Sequence, residues 1–309
     1  MSRAPYRLGM HRVDGRAYWF AAYFNRFERN LMIRYAGQAR ADRFDETFAG
    51  RVPFAEAKVV CVFDPDPEAA RRFADTFHVE AVSSLEDHAD ELDGVIVPFP
   101  AGGDLRDYRV VAPLVERGVP LFLDRIILEQ TGPLKCLCEQ AARHRAPLHV
   151  TAFLRYLAED LLPDGQTLPL CAVASIAGEP RGYGADILDL VDELMQSMPV
   201  SILNCGDEQS DVLRIRYANG RHAIVQLFRD AKIPICVTAL GEGWTRSLEI
   251  SSGDYHRAAM RQFEAFLESL KTRQPPVPYQ RVLANAAVLR TAEKRSLGNE
   301  IAIRFDAVD

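Results

Sequence analysis

Four short runs in the first 155 residues have no polar face: "AKVVCVFD" (57–64), "DGVIVPFP" (93–100), "VPLFLD" (119–124) and "APLHVTAF" (146–153). A strand that is apolar on both sides cannot leave either side in water, so the sheet it joins must be covered on both faces. The stretches between the runs supply the cover. "PEAARRFADTF" (67–77) starts with Pro67, a residue suited to a first helical turn, and "DYRVVAPLVERG" (107–118) ends on Gly118, which can close a helix. "GPLKCLCEQAARHR" (132–145) is the third helical stretch. Strands alternating with helices, joined by right-handed crossovers, predict a doubly wound parallel sheet.

A weaker strand, "YRLGMHRV" (6–13), and an amphipathic helix, "GRAYWFAAYFNRF", open the chain. The first domain is therefore read as Rossmann-like over residues 1–155. It carries an arginine-rich insertion at 26–53, expected either as a charged surface helix or as a lid over an anionic ligand. After residue 155 the pattern changes to "LPLCAVASIAG", "PVSILNCG", "SDVLRIRYANGRHAIVQLFRD", "IPICVTALG" and "TRSLEISSG", strands with no intervening helix of any length. Asn219-Gly220 predicts a type I′ hairpin. Two helices, near 255–272 and 279–296, finish a second domain, 156–309, of the α+β class with an open, mainly antiparallel sheet.

Composition removes some partners. A net charge of -6 argues against nucleic acid or an anionic membrane. No run approaches 18 apolar residues, and the first residues lack a signal peptide's apolar core. The six cysteines are scattered and read as reduced core thiols of a cytoplasmic protein, with no metal site expected.

A parallel sheet of this kind takes its ligand at the carboxyl ends of its strands. The loop after the first strand, "HRVDGRAYW", holds only Gly15 where a dinucleotide fingerprint would hold three glycines. Asp14 would repel a phosphate; Arg12 and Arg16 would compensate. Asp64, directly after "KVVCVF", is placed to bind an adenosine ribose and to favour NAD(H) over NADP(H). Pro98, Phe99 and Pro100 are candidates for the wall of the nucleotide pocket.

The order of these features, from "VVCVFDPDPEAARRFADTFHVEAVSSLEDHADELDGVIVPFP" through "FEAFLESLKTRQPPVPYQRVLANAAVLRTAEKRS", resembles the Gfo/Idh/MocA oxidoreductases, named for glucose–fructose oxidoreductase and inositol dehydrogenase. The likeness spans most of the chain and is weakest over 1–56, where "VDGRAYWFAAYFN" is similar to a divergent branch with a "GHPYxW"-like loop. "LVERGVPLFLDRIIL" occupies the place of the family's "GKxVxxEKP". The resemblance puts Arg125 at the lysine position, Asp124 at the acid and Ile126 at the proline. The family's "GxHxxD" falls on "YGADILDLV": Gly184 and Asp189 match, and Asp186 stands where the histidine would be.

These replacements change the chemistry. Arginine stays protonated below pH ~12 and cannot act as a base. Arg125 is left to clamp an anion or to stabilise an oxyanion. Asp186 could take the proton, with Asp189 on the same helical face; a carboxylate near pKa ~3.9 is a weak base unless burial raises it. Arg155, Tyr156 and Tyr183 are candidate substrate contacts at the domain junction. The resemblance implies an NAD(H)-linked oxidoreductase acting on a small polar substrate, anionic or neutral, as a homo-oligomer through the C-terminal sheet. The alternatives are NADP(H), no cofactor at all, a pseudoenzyme or partner subunit, and a redox-neutral lyase or epimerase.

Overall fold

The computed structural model describes residues 4–13, 15–98, 106–124, 131–163, 167–178, 184–229, 231–294 and 297–304. Its first half contains β1 (Tyr6–His11), α1 (Gly15–Ala21), α2 (Arg29–Ala36), α3 (Gln38–Phe48), β2 (Ala57–Phe63), α4 (Pro67–Phe77) and β3 (Glu80–Ala81). It continues with β4 (Gly94–Val97), α5 (Arg106–Glu116), β5 (Leu121–Leu123), α6 (Thr131–His144) and β6 (Leu148–Val150). The six strands pair in the order β3-β2-β1-β4-β5-β6, all parallel. Chain order reverses between β1 and β4, which opens a crevice at the carboxyl edge.

The second half runs α7 (Ala158–Leu161), β7 (Cys171–Ala177), α8 (Ala185–Met195), β8 (Pro199–Asn204), β9 (Ser210–Tyr217) and β10 (His222–Phe228). It closes with β11 (Cys236–Gly241), β12 (Trp244–Glu249), α9 (Ser252–Thr272), α10 (Tyr279–Glu293) and β13 (Glu300–Ala302). Its seven strands pair in the order β12-β11-β7-β10-β9-β8-β13, antiparallel except for β7 with β10. One face is packed and the other half-exposed, as the alternating burial of β7, β9 and β10 records.

Three local expectations are corrected. A helix does interrupt the second set of strands: α8 has ten of its eleven residues buried. Its aspartates at 186, 189 and 192 do recur at helical spacing, but all three are buried, so the stripe they form is not the solvent-facing one that marks a surface helix. The hairpin at Asn219-Gly220 is present, but Gly220 N–H donates to Tyr217 O (3.0 Å) and Tyr217 N–H to Arg221 O (2.9 Å). Only Gly220 of the pair has positive φ (82°), so the loop is a three-residue turn with a glycine bulge rather than type I′. A short strand, β13, follows the last helix and pairs with β8.

The insertion folds as the α2–α3 hairpin. Met32, Phe44 and Phe48 are buried, and Arg29 bridges Asp42 and Asp45 on the outside (both 2.6 Å). Both C-terminal helices return to the first sheet. Phe263 of α9 stacks on Phe122 of β5 (5.1 Å between centroids), and the Tyr279 hydroxyl of α10 accepts from Leu148 N–H of β6 (3.1 Å).

Candidate functional site at the junction of the two sheets

β1, β2, β4 and β5 deliver their last residues to one edge. At the β1 end, Arg12 turns into the left-handed region (φ 68°) and its N–H donates to Phe63 O (2.7 Å). The next N–H, of Val13, donates to Asp64 Oδ2 (2.6 Å), while Asp64 Oδ1 accepts from Asp66 N–H (2.8 Å). Gly15 opens α1, and Ala17, fully buried, lets the helix lie close to the strands. Pro98 is buried at the end of β4. Asp14, Phe99 and Pro100 lie outside the described residues. His11, the last residue of β1, is buried against Phe63 (5.5 Å between rings). Burial, helped by the neighbouring Arg12 charge, lowers its pKa to about 4, so it is neutral at pH 7.

The opposite end is charged. Asp124, directly after β5, is fully buried, and its Oδ2 accepts a hydrogen bond from Arg16 Nη1. The Arg16 guanidinium lies 5.8 Å from the centre of the Phe153 ring, which Trp19 meets edge-on. Across the junction, the first turn of α8 carries Asp186, also fully buried. Burial pushes the Asp186 carboxyl up to about 7; the Arg16 charge pulls it down and Asp189 pushes it up. The structure thus brings Arg16, Asp124 and Asp186 together around one cation from α1. Sequence reasoning assigned Arg16 to a phosphate and did not link it to Asp124, 108 residues away. The available signal was topological: the loops after β1 and β5 share the carboxyl edge of one sheet.

Three other candidates, Arg155, Asp189 and Tyr156, belong to a neighbouring network. Arg155 Nη1 donates to Asp189 Oδ1 (2.7 Å) and Asp192 Oδ2 (3.1 Å), and Nη2 pairs with Glu193. Asp189 also accepts from Ala152 N–H (2.7 Å) and the Asn285 amide (3.3 Å). The Arg155 charge is therefore directed at α8, and Asp189 ties α8 to the β6 connection. Tyr156 turns its hydroxyl inward, 3.3 Å from both His149 Nε2 and Thr151 Oγ1. His149 is fully buried and its pKa falls to about 3 through desolvation, with the Arg155 charge adding to the effect. Arg125 and Tyr183 lie outside the described residues.

A parallel sheet in the order 3-2-1-4-5-6, followed by a second, mostly antiparallel sheet, defines a Rossmann-like α/β class. Residues 35–152 match the family model described as "Oxidoreductase family, NAD-binding Rossmann fold", GFO_IDH_MocA. The matched part of the chain is thus a Gfo/Idh/MocA-type domain, and the chain is consistent with a member of that oxidoreductase family. The match begins after the loop that lacks the glycines.

Solved structures extend the likeness in fold to the whole chain. GenD2 from gentamicin A biosynthesis, crystallised with NAD, is 11% identical with a TM-score of 0.73, over 98% of this chain and 97% of its own. The myo-inositol dehydrogenase of Lactobacillus casei, crystallised with NAD(H) and myo-inositol, is 14% identical with a TM-score of 0.73, over 99% and 98%. A putative myo-inositol dehydrogenase of Sinorhizobium meliloti is 17% identical with a TM-score of 0.68, over 97% and 100%. No curated protein matches the sequence. Among the described residues no helix is long and apolar enough to cross a membrane.

Proposed function

We propose that this chain is an NAD(H)-linked oxidoreductase acting on a small polar substrate, with Asp186 as its proton acceptor. The observation that carries the reading is a fully buried carboxyl with its pKa pushed up to about 7, beside the Arg16–Asp124 pair at the sheet junction. A base works best when its pKa lies near the working pH, and burial has moved Asp186 into that range. Arg16 counters the charge that forms on Asp186 when it is deprotonated, and Asp124 holds Arg16 in place. Arg155 and Asp189 support α8 from below, which makes them positioning residues in this reading. Arg125 retains the role its position suggests, binding an anionic group or developing oxyanion. It and Tyr183 complete the substrate side.

The fit to a dinucleotide rests on the small, buried Ala17 under α1 and on the acid at the end of β2. Asp64 favours NAD over NADP, and Pro98, Phe99 and Pro100 would border the adenosine. The bound nucleotide would supply hydride transfer; the protein supplies the proton path and the shape. We place self-association on the half-exposed face of the second sheet, where Val173 of β7 and Ile224 of β10 lie side by side and Phe228 follows on the same face, and we place the protein in the cytoplasm.

The test is thermal-shift titration with NAD+, NADH, NADP+ and NADPH, followed by a turnover screen of polyols, aldoses and uronates. A rise in Tm with NAD(H), and turnover that is lost in Asp186→Asn, is the expected result. No shift with any of the four would remove the oxidoreductase reading. It would leave the second one, a binding or partner subunit, which is favoured by the left-handed Arg12 at the turn where a fingerprint glycine would stand.

A further inference from the structure

Glycines in a nucleotide-binding turn do two things: they allow positive φ and they let the backbone come close to the ligand. Here the turn after β1 contains Arg12 at φ 68°. A side chain in that region costs about 1–2 kcal/mol, so the surroundings must hold the turn in place. Two consecutive amides do the holding. Arg12 N–H continues the sheet ladder onto Phe63 O (2.7 Å), and Val13 N–H ends on the side chain of Asp64 (2.6 Å). The other oxygen of the same carboxylate takes Asp66 N–H (2.8 Å), and the Asp66 side chain in turn caps α4 by accepting from Glu68 N–H (3.0 Å).

We infer that Asp64 is a positioning residue for the nucleotide loop: its carboxylate clamps the β1–α1 and β2–α4 connections together and substitutes for the missing glycines. The inference deepens the nucleotide reading proposed above and rests on it for the affinity measurements alone. It gives Asp64 a role separate from ribose recognition. A ribose-selecting acid discriminates between NADH and NADPH. An acid that shapes the loop affects both alike, because both need the same pyrophosphate turn. Charge-assisted hydrogen bonds from main-chain amides to a carboxylate are the stronger kind, and both oxygens here accept one.

Asp64→Ala and the double variant Asp64→Ala with Arg12→Gly separate the two roles. In the single variant, the clamp predicts a drop of about 2–5 °C in Tm without nucleotide and loss of hydrogen-exchange protection at the Val13 amide. Affinities for NADH and NADPH should both fall, that for NADH by roughly tenfold or more, whereas loss of ribose selection alone would leave NADPH binding no weaker. Adding Arg12→Gly should restore most of the NADH affinity, since glycine takes the left-handed turn unaided. Unchanged Tm and unchanged Val13 exchange, with a ratio moved toward NADPH, would overturn the clamp in favour of ribose selection alone. If wild-type protein binds no nicotinamide nucleotide, the oxidoreductase reading fails separately. The clamp is then decided by Tm and Val13 exchange, upheld if both fall and refuted if neither does.

Discussion

Helix α8 carries aspartates at 186, 189 and 192, and its two ends show what burial does to the same functional group. Asp189 and Asp192 sit among Arg155, Arg281, Asn285 and a main-chain amide, with Arg281 Nη2 only 2.6 Å from Asp192 Oδ2. Desolvation still raises Asp192, while Arg281 and Arg155 pull it back. One turn earlier, burial pushes Asp186 up to about 7 against the pull of the Arg16 charge. The difference is between carboxylates held by several cationic and amide partners and one whose pKa burial has moved the furthest toward neutrality. It is set by neighbours from distant parts of the chain, not by α8 itself.

Removing Arg155 should have the largest effect. Arg155→Met leaves the carboxylates of α8 buried without their shared cation, a change that costs about 3–5 kcal/mol. Calorimetry should show Tm lower by roughly 6–20 °C; a shift under 2 °C would mean the network is peripheral.

Asp186→Asn should lower turnover by roughly 10²–10⁴-fold while leaving the fold intact. Its stability signature runs the other way. A carboxyl with a raised folded pKa binds its proton more tightly in the folded state, so its stabilisation is present below the unfolded value of about 3.9 and is lost as pH rises toward 7. The asparagine variant should therefore gain Tm relative to wild type at pH 8 and gain nothing at pH 4. Equal shifts at both would contradict a titrating Asp186.

A smaller effect is expected from Arg16→Gln. Without that cation the Asp186 pKa should rise further, moving the acid limb of the kcat/KM profile upward by on the order of one unit. A loss of rate with an unmoved limb would assign Arg16 to substrate binding alone.

The smallest prediction concerns the two neutral imidazoles. His11 and His149 have folded pKa values lowered to about 4 and about 3. The unfolded chain therefore takes up protons first, and stability falls as pH drops below about 6.5. His149→Phe should reduce the stability difference between pH 7.5 and pH 5 by about 1–2 kcal/mol, measured by urea unfolding at both. An unchanged difference would place the acid sensitivity elsewhere.

The contrast also shows what a sequence can reveal. The parallel sheet was legible because four of its six strands are apolar on both faces, and α4 occupies the 67–77 predicted for it, capped by Asp66. The family motif singled out Asp186, which lies in the first turn of α8. The rest depended on contacts far apart in sequence. No spacing rule links Arg16 to Asp124 or Arg155 to Asp189, and nothing in the spacing of the α8 aspartates says that all three are buried. Arg155 and Tyr156 were expected as substrate contacts at the junction, yet nothing in "FLRYL" says that the guanidinium turns to α8 or the hydroxyl to His149.

The α2–α3 hairpin has one more consequence. Phe48, its last residue, meets Tyr23 edge-on (4.9 Å between centroids) and His256 of α9 (5.8 Å), and Tyr23 is hydrogen-bonded to that same histidine (2.9 Å). Swinging α9 away from α1 would have to split this aromatic trio and break its polar link in one movement. The hairpin therefore works as a brace: through Phe48 it joins the insertion of the first half to a helix of the second.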